Sequence, residues 1–288
     1  MELEGQMSFF DMGKTPLQIT KPIRLIELFA GIGSQASALE RLGADFENYK
    51  VVEYDKSAVK TYNQIHGTNF TPIDIREMED LEVVDTDKYC YLLTYSFPCT
   101  DLSLAGQQKG MKRGSDTESS LLWEVERLLR NSKEKPQILL MENVPQIHTK
   151  HLEDFREWVS ILSEMGYTSK WADLNAKDYG VPQTRKRTFM VSWQGDFTYE
   201  FPKPIGCHKK VKDLLEGGVD EKYYETERTV QGFLESLDEK GRKKLEKALA
   251  KECCLTGGGR SHSAIMTDYC PTVPTYNFSL PRKVELWV

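Results

Sequence analysis

With 288 residues, 39% of them apolar and 28% charged, the chain is long enough for one full core plus a smaller second region, and its composition excludes a fibrous or disordered protein. The net charge of −6 excludes a uniformly basic nucleic-acid binder, though an acidic total leaves room for one basic cleft. No apolar run approaches a membrane span and residues 1–21 lack the basic-then-apolar build of an export signal, so a cytoplasmic setting without a membrane partner is expected.

In chain order, Arg24-Leu-Ile-Glu-Leu-Phe29 is a short run of strand formers, punctuated by Ala30-Gly-Ile-Gly33. Ser34 is placed to cap a helix running to Leu42, with Gly43 as its stop. Tyr49-Lys-Val-Val-Glu-Tyr54 reads as a second strand, and Asp55 as the cap of a helix from Lys56 to Ile65. A third strand is expected just before Asp74, and a clearer one at Tyr91-Leu-Leu-Thr-Tyr-Ser96. Leu121, Leu122, Val125, Leu128 and Leu129 recur at helical spacing after Ser119-Ser120. Gln137-Ile-Leu-Leu-Met141 is a strand, residues 151–165 form an amphipathic helix stopped by Gly166, and Arg187-Thr-Phe-Met-Val-Ser-Trp193 closes the series.

Strands alternating with helices predict an α/β fold: a Rossmann-like core with a mostly parallel sheet, whose sites lie beyond the carboxyl ends of the strands. After Trp193 the rhythm breaks. Residues 203–288 hold a charged helical stretch at 234–251 and a Gly-, Thr- and Pro-rich tail, and carry 15 Lys/Arg against 13 Asp/Glu. The expected organisation is an extension at 1–21, a main domain at 22–200 and a smaller region at 201–288.

Several residues at those strand ends carry chemistry. Gly31 and Gly33 let the backbone approach a ligand after the first strand, but the third glycine of the dinucleotide fingerprint is missing. Glu53 ends the second strand, where an acidic residue can accept from both hydroxyls of a ribose; the alternative is a surface carboxylate. Asp74 can accept from an adenine amine or merely cap a turn. Cys99, in Ser96-Phe-Pro-Cys-Thr-Asp-Leu-Ser103, follows a strand end and a proline, which puts a thiol on a loop at the functional edge. Glu142 supplies a carboxylate at the next strand end. Arg185 and Arg187 are two apart, so in extended chain they point to one side. Cys253, Cys254, His262 and Cys270 fit no common zinc spacing, and no metal centre is expected.

The order of these pieces resembles the successive motifs of the cytosine-C5 DNA methyltransferases: Phe29-Ala-Gly-Ile-Gly33, Glu53, Asp74, Pro98-Cys99, Glu142-Asn143-Val144 and Gln183-x-Arg185-x-Arg187. The resemblance covers roughly residues 22–193. One departure is Phe97, where the family has a second proline. The resemblance implies an S-adenosylmethionine-dependent methyltransferase core, with Phe29, Gly31, Gly33, Glu53, Asp74 and Pro98 lining the pocket for S-adenosyl-L-methionine. It implies Cys99 as the nucleophile on C6 of a flipped-out cytosine, Glu142 at N3 and the exocyclic amine, and Arg185 and Arg187 on the O2 side and the phosphates. Double-stranded DNA is the implied partner. The loop at 103–118 reads as a basic lid with Lys109, Lys112 and Arg113, and the region at 203–288 as the target-recognition region, with Gln183 and Arg260 as further DNA contacts. The family also has an Arg-x-Leu-Thr-x-x-Glu segment and a Gly-Asn-x-Val helix that close the pocket, and neither occurs in this sequence. A complementing chain that supplies them is therefore an expectation. The alternatives are a tRNA cytosine-C5 methyltransferase of the same family, or a truncated non-catalytic DNA-binding remnant or half of a split enzyme.

Overall fold

The computed structural model describes residues 15–99, 102, 110–115 and 117–214, then 220, 227–240, 242–243, 246, 254–256, 265–267 and 269–271. In chain order the strands and α-helices are β1 (Thr15–Pro16), β2 (Ile23–Leu28), α1 (Ser34–Leu42), β3 (Phe46–Val52), α2 (Lys56–His66), β4 (Cys90–Tyr95), α3 (Leu122–Asn131), β5 (Ile138–Asn143), α4 (Gln146–Thr149), α5 (Leu152–Glu164), β6 (Tyr167–Asn175), β7 (Gln183–Thr184), β8 (Lys186–Gln194), β9 (Phe197–Thr198), α6 (Glu227–Ser236), β10 (Cys254–Thr256), β11 (Ile265–Thr267) and β12 (Cys270–Pro271).

By backbone proximity the described residues fall into two units. One takes those up to Asp173 together with Arg187–Phe201; the other takes Leu174–Lys186 and the described residues from Pro202 onward. The stretch carrying Gln183 and Arg185 goes with the second unit. Within that unit β7 pairs parallel with β12, with Gln183 opposite Cys270, and β10 pairs antiparallel with β11. Its helix α6 overlaps the start of the expected 234–251 stretch, and residues 239–240, 242–243 and 246 are helical as well.

The main sheet has six strands in the order β3-β2-β4-β5-β8-β6. The pairs β2–β3, β2–β4 and β4–β5 are parallel, while β5–β8 is antiparallel. All six residues of β4 are buried, as a central parallel strand covered on both faces requires. Alternation along β2 sends Ile26 and Leu28 to one face and Ile23 and Leu25 to the other. The first face packs on α3 (Leu122, Val125, Leu128, Leu129) and α5 (Phe155, Trp158, Ile161, Leu162), the second on Ala36 of α1 and Tyr62 of α2. Each fully buried Leu or Phe here contributes about 1.5–3 kcal/mol.

Two local expectations need correction, and two features of the sheet went unread. Residues 70–73 form no strand; Asp74 instead follows a loop and caps a short 3-10 turn, Ile75–Glu77. Gly33, not Ser34, is the N-cap of α1, without a side-chain cap bond; the buried Glu27 of β2 supplies the acceptor instead, 3.4 Å from the Ala36 N–H. The late strand β8 runs antiparallel. The edge strand β6 was absent from the sequence reading, since its residues are mostly half-buried and mix Lys, Asp and Asn with Trp and Leu. Asp55 does cap α2, accepting from the Ser57 and Ala58 N–H groups.

The parallel order places β3 on one side of β2 and β4 on the other. Chain direction across the sheet therefore reverses at β2, and such a switch point leaves a crevice beyond the carboxyl ends of the strands.

Candidate active site

A cavity of about 280 Å³ lies at that crevice. It is lined by Phe29 after β2, by Glu53 and Tyr54 after β3, by Asp74, Ile75 and Arg76 of the turn, and by Ser96 and Pro98 after β4. Of the six residues expected there, Phe29, Glu53, Asp74 and Pro98 reach it directly. Gly31 acts through Glu53, donating its N–H to Oε2 at 3.0 Å, while Oε1 accepts from the Asp55 N–H at 2.9 Å. Each Glu53 oxygen can accept again, as two hydroxyls of a ribose would need. Asp74 is more committed. The Arg76 guanidinium and backbone N–H hold it, and that bonding keeps its carboxyl below the usual carboxylate range. Glu53 and Asp74 among Phe29, Tyr54, Ile73 and Ile75 suit a flat base attached to a sugar, and Glu118 adds a third carboxylate to the lining. Tyr54, 73% exposed, was not singled out in the sequence; its position directly after Glu53 is the signal that could have found it.

The turn that carries Phe29 is strained. Phe29 has φ 58°, a left-handed conformation that costs a bulky residue about 1–2 kcal/mol. Gly31 (φ 56°) and Gly33 (φ 83°) have it without that cost. Their surroundings differ. A Cβ on Gly31 meets nothing within 4 Å, whereas one on Gly33 would lie 2.2 Å from His66 Nε2 and 2.6 Å from the Tyr62 ring. Gly31→Ala is thus expected to cost about 1 kcal/mol from φ alone, and Gly33→Ala about 2–4 kcal/mol because two buried rings must move. Urea melts of the two variants check the difference.

On the other side of Pro98 stands Cys99, half-buried against the core. Three carbonyls hold its loop in place. Asn143 Nδ2 donates to the Phe97 carbonyl (3.1 Å), the buried Ser119 hydroxyl to the Pro98 carbonyl (2.7 Å), and the Leu102 N–H to the Cys99 carbonyl (3.0 Å). Phe97, at the departure from the family pattern, is 2% exposed and anchors the loop in the core. The positioning roles of Asn143 and Ser119 went unread in the sequence, because a short polar side chain at a strand end or helix start has many uses.

Glu142 closes β5. Since Met141 pairs with Tyr95 of the parallel neighbour β4, Glu142 and the start of the Cys99 loop leave the sheet side by side. Across the antiparallel pair, Arg187 Nε lies 3.1 Å from Glu142 Oε1, with the side chains 16% and 20% exposed. Arg185 and Gln183 lie in the second unit. The Arg185 N–H donates to Asn175 Oδ1 and its carbonyl accepts from the Ala176 N–H, so this loop is shaped by its own backbone.

Of the expected basic contacts, Lys109 and Arg260 lie outside the described residues. Lys112 is exposed. Arg113 is built into the fold: its guanidinium pairs with Glu126 (2.6 Å) and Glu157 (3.2 Å) and sits 4.2 Å from the centre of the Trp123 ring. Trp123 Nε1 in turn donates to the Met111 carbonyl at 2.7 Å. Arg113→Ala is therefore expected to lower stability by roughly 1–2 kcal/mol, and Lys112→Ala to stay within about 0.5 kcal/mol of the parent. Denaturant midpoints, read beside DNA affinity, separate a structural from a contacting arginine. Among the described residues no cluster of His, Cys, Asp and Glu could hold a metal ion, and no helix is long and apolar enough to cross a membrane.

Residues 23–266 match the family of C-5 cytosine-specific DNA methylases. The chain is 34% identical over 260 residues to the orphan methyltransferase M.SssI of Spiroplasma monobiae, covering 70% of this chain and 67% of that protein. To the Type II methyltransferase M.NlaX of Neisseria lactamica it is 35% identical over 213 residues, covering 73% and 65%. Among solved structures, the Entamoeba histolytica methyltransferase EhMeth superposes with a TM-score of 0.61 at 21% identity, over 74% of this chain and 67% of that one, a likeness of fold. The chain spans about two thirds of the length of these relatives.

Proposed function

From the premise that this chain belongs to the C-5 cytosine-specific DNA methylase family, we propose that it transfers a methyl group from S-adenosylmethionine to C5 of a flipped-out cytosine in double-stranded DNA. The observation that carries this reading is the placement of Pro98 and Cys99: the proline lines the nucleoside-sized cavity, and the next residue is a thiol on a loop held by three hydrogen bonds. When bound, S-adenosylmethionine supplies an electrophilic methyl group on a sulfonium that leaves as a neutral thioether.

Glu53 takes the ribose hydroxyls of the donor, and Phe29 and Tyr54 pack on its flat parts. Cys99 Sγ, as the thiolate, bonds to C6 of cytosine; the electron pair of the C5–C6 bond then makes C5 a nucleophile toward the methyl carbon. Glu142 accepts from the exocyclic amine and donates a proton to N3, where charge accumulates during that attack. Arg187, paired with Glu142 across β5 and β8, fixes the carboxylate and brings positive charge near the thiolate. Loss of the C5 proton then expels Cys99 and leaves 5-methylcytosine. The target base must leave the stack for this, at a cost of a few kcal/mol. Lys112, Gln183, Arg185 and Arg260 are the side chains proposed for phosphate and groove contacts.

The test uses duplex DNA in which cytosine is replaced by 5-fluorocytosine, with S-adenosylmethionine present. A fluorine at C5 blocks the final elimination, so a methylated covalent adduct that survives denaturation is the expected result. A chain that binds the duplex and donor yet forms no adduct overturns the proposal, whereas trapping on a fluorinated tRNA and not on DNA moves it to RNA.

A further inference from the structure

We propose that His66, the last residue of α2, is a positioning residue for the donor-binding turn; the inference rests on the donor reading above. The His66 side chain is fully buried. Its Nδ1 lies 2.8 Å from Glu40 Oε1 on α1, and its Nε2 lies 3.2 Å from the carbonyl oxygen of Ile32, within the turn itself. The Ile32 carbonyl is an acceptor, so that bond requires an N–H on Nε2. The ring also packs on Tyr62 at 4.5 Å between centroids, and the Tyr62 hydroxyl donates to the buried Glu27 at 2.6 Å. Burial pushes the Glu27 carboxyl up, against that hydrogen bond.

The turn needs such a support. Beyond Ala30, which is buried in the core, it has two glycines, and Ile32 is 51% exposed, so little side-chain packing holds that part of it. Glycines that lack packing contacts sample many conformations. Phe29, at the cavity wall, has a left-handed backbone that persists only where its surroundings over-determine it. Beside the backbone bonds from the Ala30 N–H to the Val52 carbonyl and from the Gly33 N–H to the Ala30 carbonyl, two side chains hold the turn from different directions. Glu53 takes the Gly31 N–H from the cavity side, and His66 takes the Ile32 carbonyl from beneath, where Gly33 leaves room for the imidazole and no Cβ would fit. His66 therefore sets the pose of Phe29 and Gly31 without touching the donor, and Glu40 orients the ring.

The experiment compares His66→Phe and His66→Gln with the parent chain, by titration calorimetry with S-adenosylhomocysteine, thermal melting, and turnover at varied donor concentration. The phenyl ring keeps the packing on Tyr62 but cannot donate. The glutamine amide can place an N–H near the position of Nε2. The expected result is a dissociation constant raised about tenfold in His66→Phe and within about threefold of the parent in His66→Gln. The KM for the donor rises in His66→Phe, while kcat at saturating donor stays within about twofold. Equal affinity in His66→Phe and the parent overturns the inference, as does equal weakening in both variants, which marks a role in packing alone. Should His66→Phe fail to fold, Glu40→Ala removes the bond that orients the ring, and an unchanged dissociation constant there overturns the inference equally. A parent chain that itself fails to bind S-adenosylhomocysteine overturns the donor reading and this inference with it; a binding parent with an equally binding His66→Phe overturns this inference alone.

Discussion

Replacing Cys99 with alanine is expected to reduce methyl transfer by about 10⁴-fold or more and to abolish the 5-fluorocytosine adduct, because no other group on the loop can form the bond to C6. The variant is expected to fold. The hydrogen bonds that shape the loop run to the carbonyls of Phe97, Pro98 and Cys99 and none uses the thiol, so the change in stability stays within about 1 kcal/mol. Its affinity for duplex DNA and for S-adenosylhomocysteine is expected to match that of the parent. Turnover by gel-based transfer of labelled methyl groups, set beside a melting curve, checks both halves. Retained turnover in Cys99→Ala sinks the covalent route.

The second large effect falls on Glu142 and Arg187. Glu142→Gln keeps size and shape but removes the charge that answers Arg187 and the group that meets N3. A loss in kcat of about 10²–10⁴ is expected, with KM for DNA little changed. Arg187→Ala is expected to lower stability by roughly 1–3 kcal/mol as well as kcat, since the ion pair it breaks is four-fifths buried and bridges two strands. The two effects should not add. A cycle of Glu142→Gln, Arg187→Ala and the double variant should show a coupling of about 0.5–3 kcal/mol, as expected for groups in direct contact. Additive losses in kcat would mean that the pair does not act as a unit.

Much of the core was legible in the sequence for a physical reason. A parallel strand buried on both faces must be a continuous apolar run, so β2, β4 and β5 stand out. Helix stops written in glycine and the Asp55 cap are local chemistry, and Gly43 and Asp55 stand where such reading predicts them. The edge strand β6 was not legible, because a half-buried edge needs neither an apolar run nor clean alternation. Nor was the antiparallel turn of β8, since a strand's residues carry its burial and not its direction.

By itself the sequence determined the residue types of the site and their order along the chain: an acidic strand end at Glu53, a Pro-Cys pair, a carboxylate at Glu142, and arginines two apart. It also determined the family. Only the tertiary structure decided which of these lie together. It paired Glu142 with Arg187, set Arg185 in the second unit, tied Arg113 into Glu126, Glu157 and Trp123, and brought His66 beneath Ile32 from a different element. The reason is that chain order records which groups are available, whereas contact across a sheet or between helices depends on strand order and direction, which burial of the whole core selects.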